Sequence, residues 1–360
     1  MMRNDWKAAW LRGLMRALLC MAMALAAAFA ALTALAWVRG EREGFSALGR
    51  AAGQAWREGM KPLLLGPWTT NGSAGVGDMI AEGAVLLLMG LSVGVSLRIG
   101  RLSLGAPGQY ALGVLSAWGC AVEGYGPWYV CLLAGAAAGA LAGTVSGWIR
   151  RKARGTDGIA DLLLDVMALY GTYAALSRIT SGAGKETLIP ALSGDGVLSR
   201  PVTLAVLIAL GLALLLWVAE SRTVTGFHLR LLGASDPAAA GAGVKIPKAT
   251  VLCLGLSGAL AGLAGGCGTL SGMAQGVNAL EAGVNGLTAA LLSGGHPLGT
   301  VLSAGVLSHL RGGCRAMEGY DGGLAAWLMG GALIPACACF LRAAHNRRTL
   351  RMQAGKEEAP

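Results

Sequence analysis

Charge is scarce in this chain of 360 residues: Asp, Glu, Lys and Arg together make up 13%, about half the share of an ordinary soluble domain. Aromatic residues are also few, at 6%, and only four are Phe. A water-soluble fold is excluded by the lack of charge. A disordered chain is excluded by the opposite excess, since 54% of residues are hydrophobic and the mean hydropathy is +0.58. The eight cysteines form no C-x-x-C pair and are too sparse for a disulfide scaffold. Most fall in apolar segments and read as small buried hydrophobes. The four histidines, at positions 228, 296, 309 and 345, have no metal-ligand spacing. The 58 glycines show no period of three, which excludes a collagen-like chain. A phosphate-binding loop is missing too. The nearest approach, Gly182-Ala183-Gly184-Lys185-Glu186, has Ile179 where the first glycine belongs and Glu186 where a hydroxyl is needed. No catalytic residues, metal or cofactor are therefore expected, and the chain does not read as an enzyme.

Long apolar runs are what the sequence has instead. About 20 apolar residues form a helix that crosses a bilayer. Residues 14–38, 79–97, 103–122, 127–149, 159–179, 201–219, 249–271 and 322–341 meet that length. One further run, 284–310, is interrupted by Gly294, Gly295, His296 and Pro297. Each of its halves is too short to span comfortably, so a pair of short helices meeting inside the protein is expected, with the irregular backbone shielded from lipid. The fold class that follows is an all-α polytopic membrane protein. It has about eight spanning helices plus a broken-helix hairpin, giving nine or ten helical segments.

The net charge of +10 is explained by orientation in the lipid bilayer, and no nucleic-acid partner is expected. With the N-terminus inside, the inside segments hold 19 of the 29 Lys and Arg, as the positive-inside rule requires. This arrangement predicts a cytoplasmic N-tail at 1–13 and a transmembrane domain at 14–341. Within that region lie an external loop at 39–78 and a cytoplasmic loop at 220–248. A cytoplasmic C-tail follows at 342–360. The first run is read as an uncleaved anchor, because it is longer than the apolar part of a signal peptide.

Two other features shape the expected bundle. Gly135, Gly139, Gly143 and Gly147 form one stripe on a helix, and Gly258, Gly262 and Gly266 repeat the device. Such stripes let helices pack backbone to backbone in lipid. Asp161 and Asp165 share a helix face just after the basic residues Arg150, Arg151 and Arg154. Pairing with those arginines, lining of a polar path, and ion ligation are three readings of this acidic pair. The last would make the chain an ion-coupled secondary transporter, which is the alternative functional reading.

The loop after Ala219 carries the most information. Ser235 or Asp236 suits a helix N-cap, Pro237 suits the first turn, Ala238 to Ala240 propagate a helix, and Gly241 and Gly243 end it. Several stretches here resemble the membrane permeases of ABC importers, in the simple-sugar and nucleoside branch of the branched-chain amino acid/ribose-type family. They are Thr223-Val224-Thr225-Gly226-Phe227-His228-Leu229-Arg230, then Gly233-Ala234-Ser235-Asp236-Pro237, then Ala242-Gly243-Val244. Ser257–Gly265, Gly286–Gly299, and Gly90–Gly100 followed by Leu104–Gln109 are similar to other segments of those permeases, in the same order over about residues 80–340. Ser103 and Pro107 stand where that family usually carries Asn and Glu, and Asn285 where it usually carries Asp.

The resemblance implies a transport subunit in the plasma membrane with both termini cytoplasmic. It implies two ABC ATPase subunits, a second permease subunit (identical or homologous) and an external substrate-binding protein as partners. The solute would be a nucleoside or simple sugar. The loop residues Phe227, Arg230, Asp236, Pro237 and Ala239 would contact the ATPase. Gln109, Tyr170, Tyr173 and Asn285 are candidates for hydrogen bonds along the translocation path.

Overall fold

The computed structural model describes residues 52–69, 72–101, 103–122, 127–152, 159–182, 200–271 and 279–316, with a few isolated positions before them. The expected spans at 14–38 and 322–341 and both tails fall outside these residues or touch them only at single positions.

Helices dominate because apolar segments of this composition leave no other way to pair backbone groups in hydrocarbon. Among the described residues they are α1 (Lys61–Thr69), α2 (Gly72–Arg98), α3 (Ala106–Val122), α4 (Trp128–Lys152), α5 (Ile159–Gly182), α6 (Arg200–Arg222), α7 (Val224–Ala234), α8 (Asp236–Gly241), α9 (Ile246–Leu270), α10 (Ala279–Leu292) and α11 (Pro297–Arg315). Four of them, α2, α4, α6 and α9, are long and apolar enough to cross a membrane.

Burial sorts these helices. The most apolar window of α2 is 83% buried and that of α9 is 72%, while α6 reaches only 22%. α2 and α9 therefore form the centre of the bundle. α2 packs against α6, α9, α10 and α11, and Leu86, Leu88, Met89, Leu91 and Val93 along it are all buried. α6 shows Leu207, Leu210, Leu214 and Leu215 on its outer side, the pattern of a lipid-facing helix.

The two glycine stripes meet each other. A Cβ placed on Gly139 would run into the Gly258 carbonyl and the Gly262 backbone, and one on Gly135 into the Gly262 carbonyl. Gly143 lies just as close to Leu254 and Gly258. The expected tight packing is thus the α4–α9 interface, and it depends on the missing side chains on both helices.

Residues 52–69 differ from the plain external loop expected there. They are helical, through a six-residue π-helical turn (Ala55–Met60) and α1. Leu63 is fully buried, and its carbonyl sits where a side chain on Gly313 of α11 would be. His309 of α11 lies 3.0 Å from the Leu64 carbonyl. The apolar run Leu63–Leu65, inside a segment otherwise rich in charged and polar residues, is the signal for this docking.

Candidate functional site

Three helix ends meet at one end of the bundle, and each is closed the same way. At the end of α2, Gly100 N–H bonds the Leu97 carbonyl and Arg101 N–H bonds the Ser96 carbonyl, with Gly100 at φ +72. At the end of α8, Gly243 N–H bonds Ala240 and Val244 N–H bonds Ala239, with Gly243 at φ +80. At the end of α10, Gly294 N–H bonds Leu291 and Gly295 N–H bonds Ala290, with Gly294 and Gly295 at φ +62 and +73. These are Schellman closures, in which a left-handed residue lets two amides return to the last-turn carbonyls. Glycine is favoured at that position because it has no Cβ to clash.

The loop between α6 and α9 is built on this end. Two helices stand in it where composition suggested one. Thr223 caps α7, its hydroxyl accepting from Gly226 N–H at 3.2 Å. Ser235 caps α8, accepting from Ala238 N–H, and Pro237 lies in the first turn. The Thr223-x-x-Gly226 spacing is the signal for the additional helix.

Phe227 is 52% exposed, and Arg230 is also exposed, its Nε donating to the Gly226 carbonyl at 3.3 Å. Asp236 pairs with Arg101 at 3.5 Å while remaining open to solvent. Pro237, Ala238 and Ala240 are exposed as well. Ala239 is fully buried. Its methyl group holds α8 against the bundle instead of facing outward.

At the hairpin, α10 ends at Leu292 and α11 begins at Pro297. His296 precedes Pro297 in the extended conformation that a following proline favours. Ser293 Oγ lies 3.0 Å from Thr300 Oγ1 across the turn. Both arms pack along α2: Gly286 of α10 lies against Met89, and Thr300 of α11 against Gly90.

Gln109 and Asn285 are both nearly fully buried, on α3 and α10, two helices that touch where Pro107 meets Gly283. Among the described residues, Gln109 Oε1 and Asn285 Nδ2 have no hydrogen-bond partner, and neither have Ser103 Oγ and Tyr110 Oη. Buried amides normally are paired, which sets these atoms apart from the rest of the described core. Tyr170 and Tyr173 stand elsewhere. They are 75% and 70% exposed on the outer side of α5, so the four candidates do not gather around one point.

The acidic pair on α5 is accounted for inside the chain. Asp161 and Arg150 form a buried ion pair, reinforced by the Ser146 hydroxyl and by Arg150 Nε at 3.1 Å. Asp165 accepts from Gly108 N–H at the start of α3, where a carboxylate also meets the positive end of the helix dipole. Pairing with Arg150 is therefore the reading that holds for Asp161. Sequence reading missed the partners of Glu82. This buried carboxylate bridges Arg311 and Arg315 of α11, and Arg311 also reaches Glu281 of α10 at 2.9 Å. The spacing of Arg311 and Arg315, one helical turn apart, was the available signal.

The described bundle is that of a polytopic, all-helical membrane protein, with a capped two-helix loop at one end and buried amides between helices. Residues 75–334 match the family described as branched-chain amino acid transport system / permease component, and the chain belongs to that family. It is similar to the guanosine ABC transporter permease protein NupP of Bacillus subtilis (strain 168), at 29% identity over 67% of this chain and 74% of that one. It is also similar to the nucleoside ABC transporter permease protein NupB of Lactococcus lactis, at 24% identity over 67% and 72%. The glucose ABC transporter permease protein TsgB13 of Haloferax volcanii is 28% identical over 55% and 57%. No solved structure matches. The chain is thus a multi-pass membrane permease component, a transport subunit rather than an enzyme.

Proposed function

We propose that the chain is the membrane subunit of an ATP-driven importer of nucleosides in the cytoplasmic membrane, with both termini inside the cell. The observation that carries the reading is the match of residues 75–334 to the permease family, together with relatives named for guanosine and nucleoside transport. A simple sugar is the second solute class, from the relative named for glucose. The partners are two ABC ATPases, a second permease and an external binding protein. The orphaned amides of Gln109 and Asn285 support a path for a polar, uncharged solute, because a nucleoside or sugar offers both donors and acceptors to such groups. The exposed loop residues Phe227, Arg230, Asp236, Pro237 and Ala238 support ATPase docking. Ion coupling has less support, since Asp161 and Asp165 both have partners within the chain.

The test is uptake into liposomes holding the permease with its ATPases and binding protein. Radiolabelled guanosine should accumulate only with ATP inside, and vanadate should stop it. Uptake driven by a proton or sodium gradient without ATP would refute the reading.

A further inference from the structure

Arg98 sits at the last residue of α2, where three parts of the fold converge. Its Nη2 lies 3.3 Å from Glu220 Oε2 at the end of α6, and its Nε donates to the Gly295 carbonyl in the hairpin turn at 3.1 Å. Both side chains of the ion pair are mostly shielded, at 25% and 14% exposure, so water screens the pair less than a surface one. The backbone beside it is locked as well. The Arg98 carbonyl lies so close to Gly233, at the end of α7, that a side chain there would collide with it, and Gly100 packs on the Gly233 backbone. Arg101 then pairs with Asp236 at the start of α8.

The two-helix loop is therefore held at the end of α2 by backbone contact and the Arg101–Asp236 pair, while the Arg98–Glu220 pair holds the end of α6 that leads into it. α2 itself is the most buried of the candidate spans and offers little room to slide. The hairpin turn is different. Its two consecutive left-handed glycines are positions where the backbone can turn at little steric cost, and the Ser293–Thr300 contact ties the turn to the first turn of α11. Within the described residues, the side-chain tie between this turn and the end of α2 is the single Arg98–Gly295 hydrogen bond.

We propose that Arg98 is the positioning residue through which displacement of the α7–α8 loop reaches the α10–α11 hairpin. This rests on the reading of the chain as an ABC permease. Arginine suits the task, because its planar fork holds a carboxylate and a carbonyl at once, whereas a lysine ammonium is a single point donor on a flexible stem. The loop, when pushed, shifts Gly233 and, through the end of α6 that leads into it, Glu220; the guanidinium follows, and the hairpin turn is drawn with it. Arms packed along α2, one carrying the orphaned Asn285 amide, would then re-register.

The experiment reconstitutes the full complex with wild-type permease, Arg98→Lys, Arg98→Gln and Glu220→Gln. It measures ATPase co-purification, ATP hydrolysis, and uptake of radiolabelled guanosine and glucose per ATP. The variants are expected to assemble and hydrolyse ATP. Loss of a charge-assisted hydrogen bond should lower uptake per ATP by about tenfold in Arg98→Gln. Arg98→Lys, which keeps the charge and the Glu220 pair, and Glu220→Gln, which keeps the Gly295 bond, should fall between that and wild type. A purely structural role would reduce the amount of assembled complex and leave uptake per ATP unchanged, and that result overturns the proposal. Glu220→Gln decides the matter in the same way if the Arg98 variants fail to fold. A wild-type complex with no ATP-driven uptake of either solute overturns the permease reading itself, and this inference with it.

Discussion

The buried charges of this bundle are met by partners on neighbouring helices. The Arg150–Asp161 pair joins α4 to α5 with both side chains almost wholly out of solvent. Taking both ions out of water is costly, and their attraction offsets the cost only while both are present. Removing Asp161 takes the carboxylate away from a buried guanidinium. Asp161→Ala should therefore destabilise the protein by about 3–5 kcal/mol, whereas Arg150→Met combined with Asp161→Leu should recover most of that loss. The measurement is the midpoint of thermal unfolding in detergent for Asp161→Ala, the double variant and wild type. Equal midpoints for Asp161→Ala and wild type would show that the pair is not closed in the folded protein. Gly108 and Asp165 mark a second junction, where the α5 carboxylate caps α3. It stands in for a capping side chain, which Gly105 just before α3 cannot supply.

Helix against helix, backbone proximity governs the packing. Gly139 and Gly171 have the same residue type in neighbouring helices but opposite surroundings. A Cβ on Gly139 would strike the Gly258 carbonyl, while nothing lies within 4 Å of the Cβ position on Gly171. Gly139→Ala should part α4 from α9, lower the yield of folded protein and reduce its thermal midpoint by several degrees, as overpacking costs about 1–3 kcal/mol. Gly171→Ala should be tolerated or slightly stabilising, because alanine holds a helix better by about 1 kcal/mol. Fluorescence-detected gel filtration on a temperature gradient compares the two, and equal behaviour would contradict the close α4–α9 contact. The glycine period made this interface legible in the sequence, as apolar run length did for α2 to α6 and α9 to α11. The stubby α8 was legible from its cap and its glycines. α7 was not, because Thr223 lies inside a polar stretch without a marked hydrophobic period. The partners of Glu82 and Arg98 were not legible either. Ion pairs spanning more than a hundred residues depend on how helices are arranged in space, which run length does not encode. The same limit explains the path candidates: Gln109 and Asn285 face inward and Tyr170 and Tyr173 outward, a distinction of helix rotation that residue type alone does not make.

At the scale of the whole molecule, the proposed assembly turns on what the two-helix loop shows to its surroundings. Two large apolar side chains, Val224 and Phe227, are 70% and 52% exposed on α7, beside the exposed Arg230. Aromatic and arginine anchors of this kind dominate protein interfaces. On α8, Ala238 and Ala240 face outward while Ala239 faces the bundle. Neighbouring alanines therefore separate docking from folding. A carboxylate at Ala238 has water around it and should leave the fold intact, yet it would be desolvated against a docked ATPase. A carboxylate at Ala239 would be buried in the subunit itself, where it has no partner. Ala238→Glu and Phe227→Ala should each keep the thermal midpoint of the isolated permease and reduce the co-purified ATPase by about tenfold, the scale of a hot-spot contact. Ala239→Glu should lower the midpoint before any partner is added. The deciding comparison is pull-down yield against thermal midpoint for all three. If Ala238→Glu and Phe227→Ala retain full ATPase yield with unchanged stability, the loop is a connector between α6 and α9, and the ATPase must bind another part of the surface.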